Sequence, residues 1–207
     1  YKISHPTKVV ECEIDLPASK SISNRLLIIQ SLCKQEFAIT NLSSSEDTKS
    51  LQKALKATKV TIDVGAAGTS FRFLTAYLST LVDNKFILTG SNRMKERPIK
   101  ELVDALLDLG IEIKYLEKSG FPPLAILGTE ITENKVSIDG QISSQFISAL
   151  LLIAPTLKNG IKLQISGKIV SKPYIIMTLK LMAEFGISHT WLENTIEIKP
   201  QKYSAKD

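Results

Sequence analysis

The stretch Leu109 to Ile113 is answered by Phe185 to His189, and the glycines in the two, Gly110 and Gly186, stand 76 positions apart. Gly68 and Ser144, each opening an apolar stretch, are also 76 apart. Such duplication constrains the fold strongly, because a short unit that cannot bury its own apolar face must gather with its copies. Periodicity fills in the unit. Six helical segments are expected, at Ser21 to Cys33, Glu46 to Ala57, Thr69 to Val82, Pro98 to Leu109, Ser144 to Ala154 and Tyr174 to Phe185. Their signals are apolar stripes such as Ile22, Leu26, Ile29 and Cys33, or Phe71, Leu74, Leu78 and Leu81. Polar starts, Pro98 in a first turn, and Gly110 and Gly186 as stops add to them.

Short β-like runs lie between the helices, at Phe37 to Thr40, Phe86 to Leu88, Ile111 to Tyr115, Leu124 to Leu127, Val136 to Ile138, Ile161 to Ile165 and Thr195 to Ile198. Helix, strand, helix, strand thus recurs three times. The first copy is shorter by about one β-hairpin, since Lys59 to Ile62 runs into Gly65 with no room for another. The stretch Phe146 to Ala154 is apolar nearly all round, which marks a helix enclosed by others. The whole reads as one compact domain, 16–200. The polar stretch 201–207 is expected to fray.

Composition narrows the function. Of 207 residues, 43% are hydrophobic and 23% charged, as in a globular protein, and the net charge of +5 suits small anionic ligands without implying nucleic acid. Two cysteines, Cys12 and Cys33, are too few for a disulfide scaffold and lie in no metal-ligand spacing, so a reducing cytoplasm is expected. The longest nearly apolar run, Phe146 to Pro155, is about half the ~20 residues of a membrane span, so no membrane is expected. No dinucleotide, Walker, nucleophile-elbow or zincin motif is present. His5 and His189 are isolated from any ligand-like set, and Trp191 and the methionines read as packing.

What precedes the helices is more informative. Ser19-Lys20-Ser21, Gly65 to Thr69, Ser143-Ser144-Gln145 and Ser171-Lys172-Pro173 put small residues, hydroxyls and free N–H groups at helix starts. Such starts are ordinary caps or anion sites. The cations Lys20, Arg25, Arg72, Arg93, Lys95, Arg97 and Lys172 lie at or near the same starts, where the helix dipole disfavours positive charge. An anion held between cation and helix end explains that placement, and side chains reaching into water are the alternative. Arg25 is expected to hold a carboxylate with two parallel bonds, and Lys20 to act as a mobile point charge. Arg72 would serve either a ligand or a buried carboxylate. Related by rotation, the three units would bring their helix starts to one side.

The segments Leu16 to Arg25, Ala67 to Arg72, Arg93 to Ile99, Ser143 to Phe146 and Val170 to Tyr174 together resemble 5-enolpyruvylshikimate-3-phosphate (EPSP) synthases, the 3-phosphoshikimate 1-carboxyvinyltransferases. Lys95 to Pro98 and Ser143 to Gln145 favour these over the related UDP-N-acetylglucosamine enolpyruvyltransferases. The resemblance covers essentially the whole chain but about half of such an enzyme. It implies an α/β (α+β) domain of the inverse α/β-prism type, with three βαβαββ-like repeats, helices inside and short sheets outside. Residues 1–15 would be a strand segment pairing with the second half.

By the same resemblance, Lys20, Ser21, Arg25, Ser143, Ser144, Gln145, Ser171 and Tyr174 would bind shikimate 3-phosphate, and Lys20, Gly68, Arg97 and Gln145 phosphoenolpyruvate. Lys20 would act electrostatically in catalysis, with proton-transfer residues in the second half. No metal or organic cofactor is implied; a monomer that needs its second half is. Ala66 stands where Asn is usual and Phe73 where Pro is common, which bears on phosphoenolpyruvate and on glyphosate-like analogues. A non-catalytic anion-binding module is the alternative from another functional class.

Overall fold

A computed structural model describes residues 4–9 and 11–205. Three helices occupy the middle: α1 (Lys20–Leu32), α3 (Gly68–Ser79) and α6 (Ser144–Ile153) touch one another pairwise. Around them stand α2 (Glu46–Leu55), α5 (Lys100–Asp108) and α7 (Lys172–Glu184), each wedged between two inner helices. A single helical turn, α4 (Asn92–Lys95), precedes α5. The inner helices are those whose sequences are apolar on several faces. In α6 every residue except Gln145 is buried, as expected for an enclosed helix.

Two four-stranded sheets complete the repeats. The strands β1 (Thr61–Asp63), β2 (Lys85–Thr89), β3 (Glu112–Tyr115) and β4 (Leu124–Leu127) are ordered β1-β2-β4-β3. The strands β5 (Lys135–Asp139), β6 (Ile161–Ser166), β7 (Thr190–Leu192) and β8 (Thr195–Ile198) take the same order, β5-β6-β8-β7. In each sheet the first pair is parallel across an inner helix and the rest are antiparallel. The alternation of β6, buried at Ile161, Leu163 and Ile165 and exposed between, turns one face to the helices and leaves the other outside. The duplication reaches single bonds: Asp63 Oδ1 accepts from Gly65 N, and Asp139 Oδ1 from Gln141 N, both at 2.8 Å.

The first unit departs from expectation. Phe37 to Thr40 forms no strand; it runs alongside α1, with the Phe37 carbonyl accepting from Gln30 Nε2 at 2.6 Å and the Phe37 ring 5.0 Å from that of Phe185. Only five residues separate α2 from β1. They leave no room for the hairpin that gives β2 and β6 their antiparallel neighbours, so this segment has no ladder to join.

The N-terminal segment also forms no strand among its described residues, and it leaves Val9, Ile14 and Leu16 exposed; residues 1–3 and 10 lie outside the described residues. The tail expected to fray is docked as far as residue 205. Tyr203 is 4% exposed and its hydroxyl donates to the Leu152 carbonyl at 2.8 Å, Gln201 exchanges side-chain bonds with Ser188, and Ala205 N donates to Gln35. One buried aromatic outweighs the polarity of its neighbours. Residues 206 and 207 lie outside the described part.

Helix α5 begins at Lys100, after Pro98, because Ile99 has φ −137° and ψ 0° and the Pro98 carbonyl is taken by Arg72. The strands β1 and β7 and helix α4 are not among the sequence expectations; each is four residues or shorter and carries little periodic signal. Truncating Leu150, fully buried in α6, to alanine is expected to cost about 2–5 kcal/mol and to lower Tm by roughly 5–15 °C. A calorimetric melt within ~2 °C of the unaltered protein would contradict an enclosed inner helix.

Candidate functional site

The helix starts meet at one end of the domain, through contacts that can be followed from start to start. At α1, Lys20 Nζ lies 3.6 Å from Asp47 in the first turn of α2. The Asp47 carbonyl accepts from Ser70 Oγ, at the start of α3, at 2.8 Å. Thr69 Oγ1, also at the start of α3, accepts from Gln145 Nε2 at the start of α6 at 3.2 Å. These two residues are exactly one repeat, 76 positions, apart. Arg25 donates to the carbonyls of Ser21 in α1 and Tyr174 in α7, and Arg72 to that of Pro98 just before α5.

The starts differ in how far the chain satisfies them. Ser19 caps α1 by accepting from Ile22 N, and Ser143 caps α6 by accepting from Gln145 N. The helices α3 and α7 have no side-chain cap; Ser171, before α7, sits in the left-handed region at φ 56° and is exposed. At α3 the first-turn N–H groups therefore have no side-chain acceptor, whereas at α7 Pro173 carries no N–H and Tyr174 N donates to the Ser171 carbonyl at 3.0 Å. Over α3 lies a guanidinium: a Cβ on Gly68 would stand 2.0 Å from Arg97 Nη1, so only glycine leaves Arg97 that seat.

Arg25 and Arg72 are the unusual charges. They are 2% and 4% exposed, and the acceptors around them are neutral. Arg25 donates from Nε to Thr178 Oγ1 at 2.7 Å, from Nη2 to Ser148 Oγ at 3.0 Å and Tyr174 O at 3.5 Å, and from Nη1 to Ser21 O at 2.8 Å. Four of its five N–H groups are engaged, so the two-bond grip on a carboxylate expected for Arg25 is not available in this arrangement; one Nη1 hydrogen remains. Arg72 donates to Gly68 O and Pro98 O at 3.0 Å each and approaches Met94 Sδ, which resolves its role away from a buried carboxylate.

Burial pulls both guanidinium groups down to about 10, opposed at Arg25 by the Tyr174 phenol and reinforced at Arg72 by the nearby Arg97 charge. Keeping two such cations inside is costly unless something stabilises the charge. Part of that stabilisation is aromatic: Arg25 lies 5.4 Å from the Phe73 ring centre and Arg72 5.8 Å from that of Phe146. Phe73, 1% exposed, is thus a packing partner of Arg25. Ala66, in contrast, lies exposed in the loop before α3.

Among the expected residues, the contacts gather Lys20, Ser21, Arg25, Gly68, Arg97, Gln145 and Tyr174, with Ser143 and Ser144 at the start of α6 and Ser171 before α7. Three cations turn elsewhere. Lys95 pairs with Glu117 at 2.6 Å, Lys172 lies 4.9 Å from the Trp191 ring centre, and Arg93 is exposed. His5 bonds Thr7 and His189 is exposed. Asp47, Ser148 and Thr178 belong to this end of the domain without having been named as site residues from the sequence, and Thr69 was named only within the helix-start cluster Gly65 to Thr69. The available signal was spacing, since Ser148 and Thr178 lie one helical turn after Ser144 and Tyr174.

The family model for EPSP synthase (3-phosphoshikimate 1-carboxyvinyltransferase) matches residues 4–63 and 49–207. The chain belongs to the EPSP synthase family. The 3-phosphoshikimate 1-carboxyvinyltransferase of Bacteroides fragilis (strain YCH46) is 49% identical over 204 residues, covering 98% of this chain and 49% of that protein. The enzyme of the same name from Haemophilus influenzae (strain PittEE) is 42% identical over 234 residues, covering 96% of this chain and 54% of that protein. In structure, EPSP synthase from Acinetobacter baumannii superposes with a TM-score of 0.78 at 20% identity, covering 92% of this chain and 48% of that one, which shows the shared fold.

The chain thus spans about half the length of the curated relatives it matches. The Haemophilus alignment is longer than this chain, so that relative carries additional residues. Among the described residues no helix is long and apolar enough to cross a membrane.

Proposed function

We propose that this chain is the shikimate 3-phosphate-binding half of a 3-phosphoshikimate 1-carboxyvinyltransferase. The reaction would move the enolpyruvyl group of phosphoenolpyruvate onto the 5-hydroxyl of shikimate 3-phosphate. The observation that carries this reading is the pair of buried arginines, Arg25 and Arg72, held by neutral acceptors where the helix starts gather. Neither arginine has a carboxylate partner among the described residues, and both substrates are polyanions.

In this reading Lys20 contacts shikimate 3-phosphate, and Ser21 and the remaining N–H of Arg25 lie near its carboxylate. Ser143, Ser144 and Ser171 hold the phosphate, Gln145 lies between the two substrates, and Tyr174 lies by the ring. Phosphoenolpyruvate takes the uncapped start of α3 at Gly68, with Arg97, Lys20 and Gln145. A proton adds to its methylene carbon, the 5-hydroxyl attacks the neighbouring carbon and loses its own proton, and phosphate leaves as a methyl proton is given up to restore the double bond. No step calls for a metal or organic cofactor. Lys20 and the aimed N–H groups raise the rate only as far as they hold the transition state tighter than the substrates. Proton-transfer groups come from a second half, with which residues 1–15 would pair; the exposure of Val9 and Ile14 supports this. We place the enzyme in the cytoplasm, as a monomer.

The test is complementation. This chain mixed with a separately made second half should release phosphate only when both substrates are present, and no release from the mixture under any substrate combination would remove the assignment. Gly68→Ala supplies a finer check, because the Cβ would push Arg97 off its seat while meeting only the end of a flexible side chain. In the complemented enzyme we expect KM for phosphoenolpyruvate to rise ~10-fold or more, with Tm nearly unchanged. An unchanged KM would move phosphoenolpyruvate away from α3.

A further inference from the structure

We propose that Thr178 and Ser148 are positioning residues, a hydroxyl pair that sets the Arg25 guanidinium and fixes three site-forming helices relative to one another. Both are fully buried, their oxygens 2.9 Å apart. The protons can be followed. Thr178 donates its single proton to the Tyr174 carbonyl at 2.8 Å, so between the two hydroxyls Ser148 must be the donor. Thr178 Oγ1 then has a lone pair for Arg25 Nε–H, and Ser148 Oγ one for Nη2–H. The Nε/Nη2 edge of the guanidinium thus rests on two oxygens whose proton positions leave them no choice but to accept. Networks with one proton arrangement hold a side chain more firmly than interchangeable ones.

The placement speaks for a role beyond filling the core. Arg25 lies one turn after Ser21 in α1, Ser148 one turn after Ser144 in α6, and Thr178 one turn after Tyr174 in α7. Each member sits directly beneath a residue proposed to touch shikimate 3-phosphate, and the network ties those three turns together across chain separations of 123 and 153 residues. Its hydrogen bonds do not extend to Arg97 or to the start of α3, where phosphoenolpyruvate is proposed; α3 meets Arg25 one turn further on, through the Phe73 ring. The network should therefore act on one substrate and spare the other, a division that rests on the functional reading above.

The experiment uses the intact enzyme, both halves present, with Thr178→Val, which keeps the shape and removes all three hydrogen bonds of the hydroxyl. We expect KM for shikimate 3-phosphate to rise at least tenfold, KM for phosphoenolpyruvate to stay within twofold, and Thr178→Ser to return within threefold of the unaltered enzyme. Should Thr178→Val fail to fold, Ser148→Ala carries the same expectation. A folded variant with KM for shikimate 3-phosphate within twofold, a parallel rise in both KM values, or no rescue by serine overturns the positioning role. An unaltered enzyme that turns over these substrates while the variant shows any of those outcomes leaves the functional reading standing; an unaltered enzyme without turnover removes both.

Discussion

Supplied with phosphoenolpyruvate and shikimate 3-phosphate, the 207-residue chain alone is expected to release no measurable phosphate. Enzymes of this kind must lower a barrier by many kcal/mol, and positioned donors on one wall provide part of that. In the proposed reading the proton-transfer acid and base belong to the second half. Asp47, the carboxylate linking the starts of α1 and α2, is paired with Lys20. One wall also leaves the substrates in water, where each charge-assisted bond contributes less than in a closed, dry site. Calorimetry on the isolated chain should find shikimate 3-phosphate bound weakly or not at all. Phosphate release by the chain alone, dependent on both substrates, would show that the first half is a complete catalyst and overturn this division of labour.

Arg25→Ala in the complemented enzyme is expected to weaken shikimate 3-phosphate binding by about 1.5–3 kcal/mol, roughly ten- to 150-fold, through loss of a charge-assisted bond to its carboxylate. The expectation holds although only one N–H is free, because the buried positive charge itself is what an anion would stabilise. The fold should suffer less than the affinity, since Ser148 and Thr178 stay bonded to each other when the guanidinium goes. Arg25→Lys separates charge from shape. An ammonium cannot span both hydroxyls as the Nε/Nη2 edge does, so lysine should rescue poorly. Titration calorimetry, with a thermal melt of each variant, measures both effects. An affinity unchanged on Arg25→Ala would move the ligand away from α1.

The helices were legible in the residues because their signals are local. Apolar stripes, the glycine stops and the run from Phe146 to Ala154 specify helices wherever they stand, and the 76-residue spacing specifies that units are copied. The strand at Leu124 to Leu127 was likewise legible to the residue. Phe37 to Thr40 carries the same kind of pattern and forms no strand, because a strand needs neighbours and the short first unit supplies none. Tyr203 shows the converse: a polar tail read as loose is held by one ring that finds a carbonyl, that of Leu152, 51 positions earlier.

The same division holds at the site. From the sequence alone came the cations at helix starts and the copied units that would bring those starts together. Only the tertiary structure decided that Arg25 turns inward onto Ser148 and Thr178, that Phe73 stacks on it, and that Arg97 uses the space Gly68 leaves. A helix start is made by residues within one turn of each other, so neighbours in sequence suffice to reveal it. The direction of a long cationic side chain is set by whichever acceptors lie closest in space, and for Arg25 two of those stand 123 and 153 residues further along the chain.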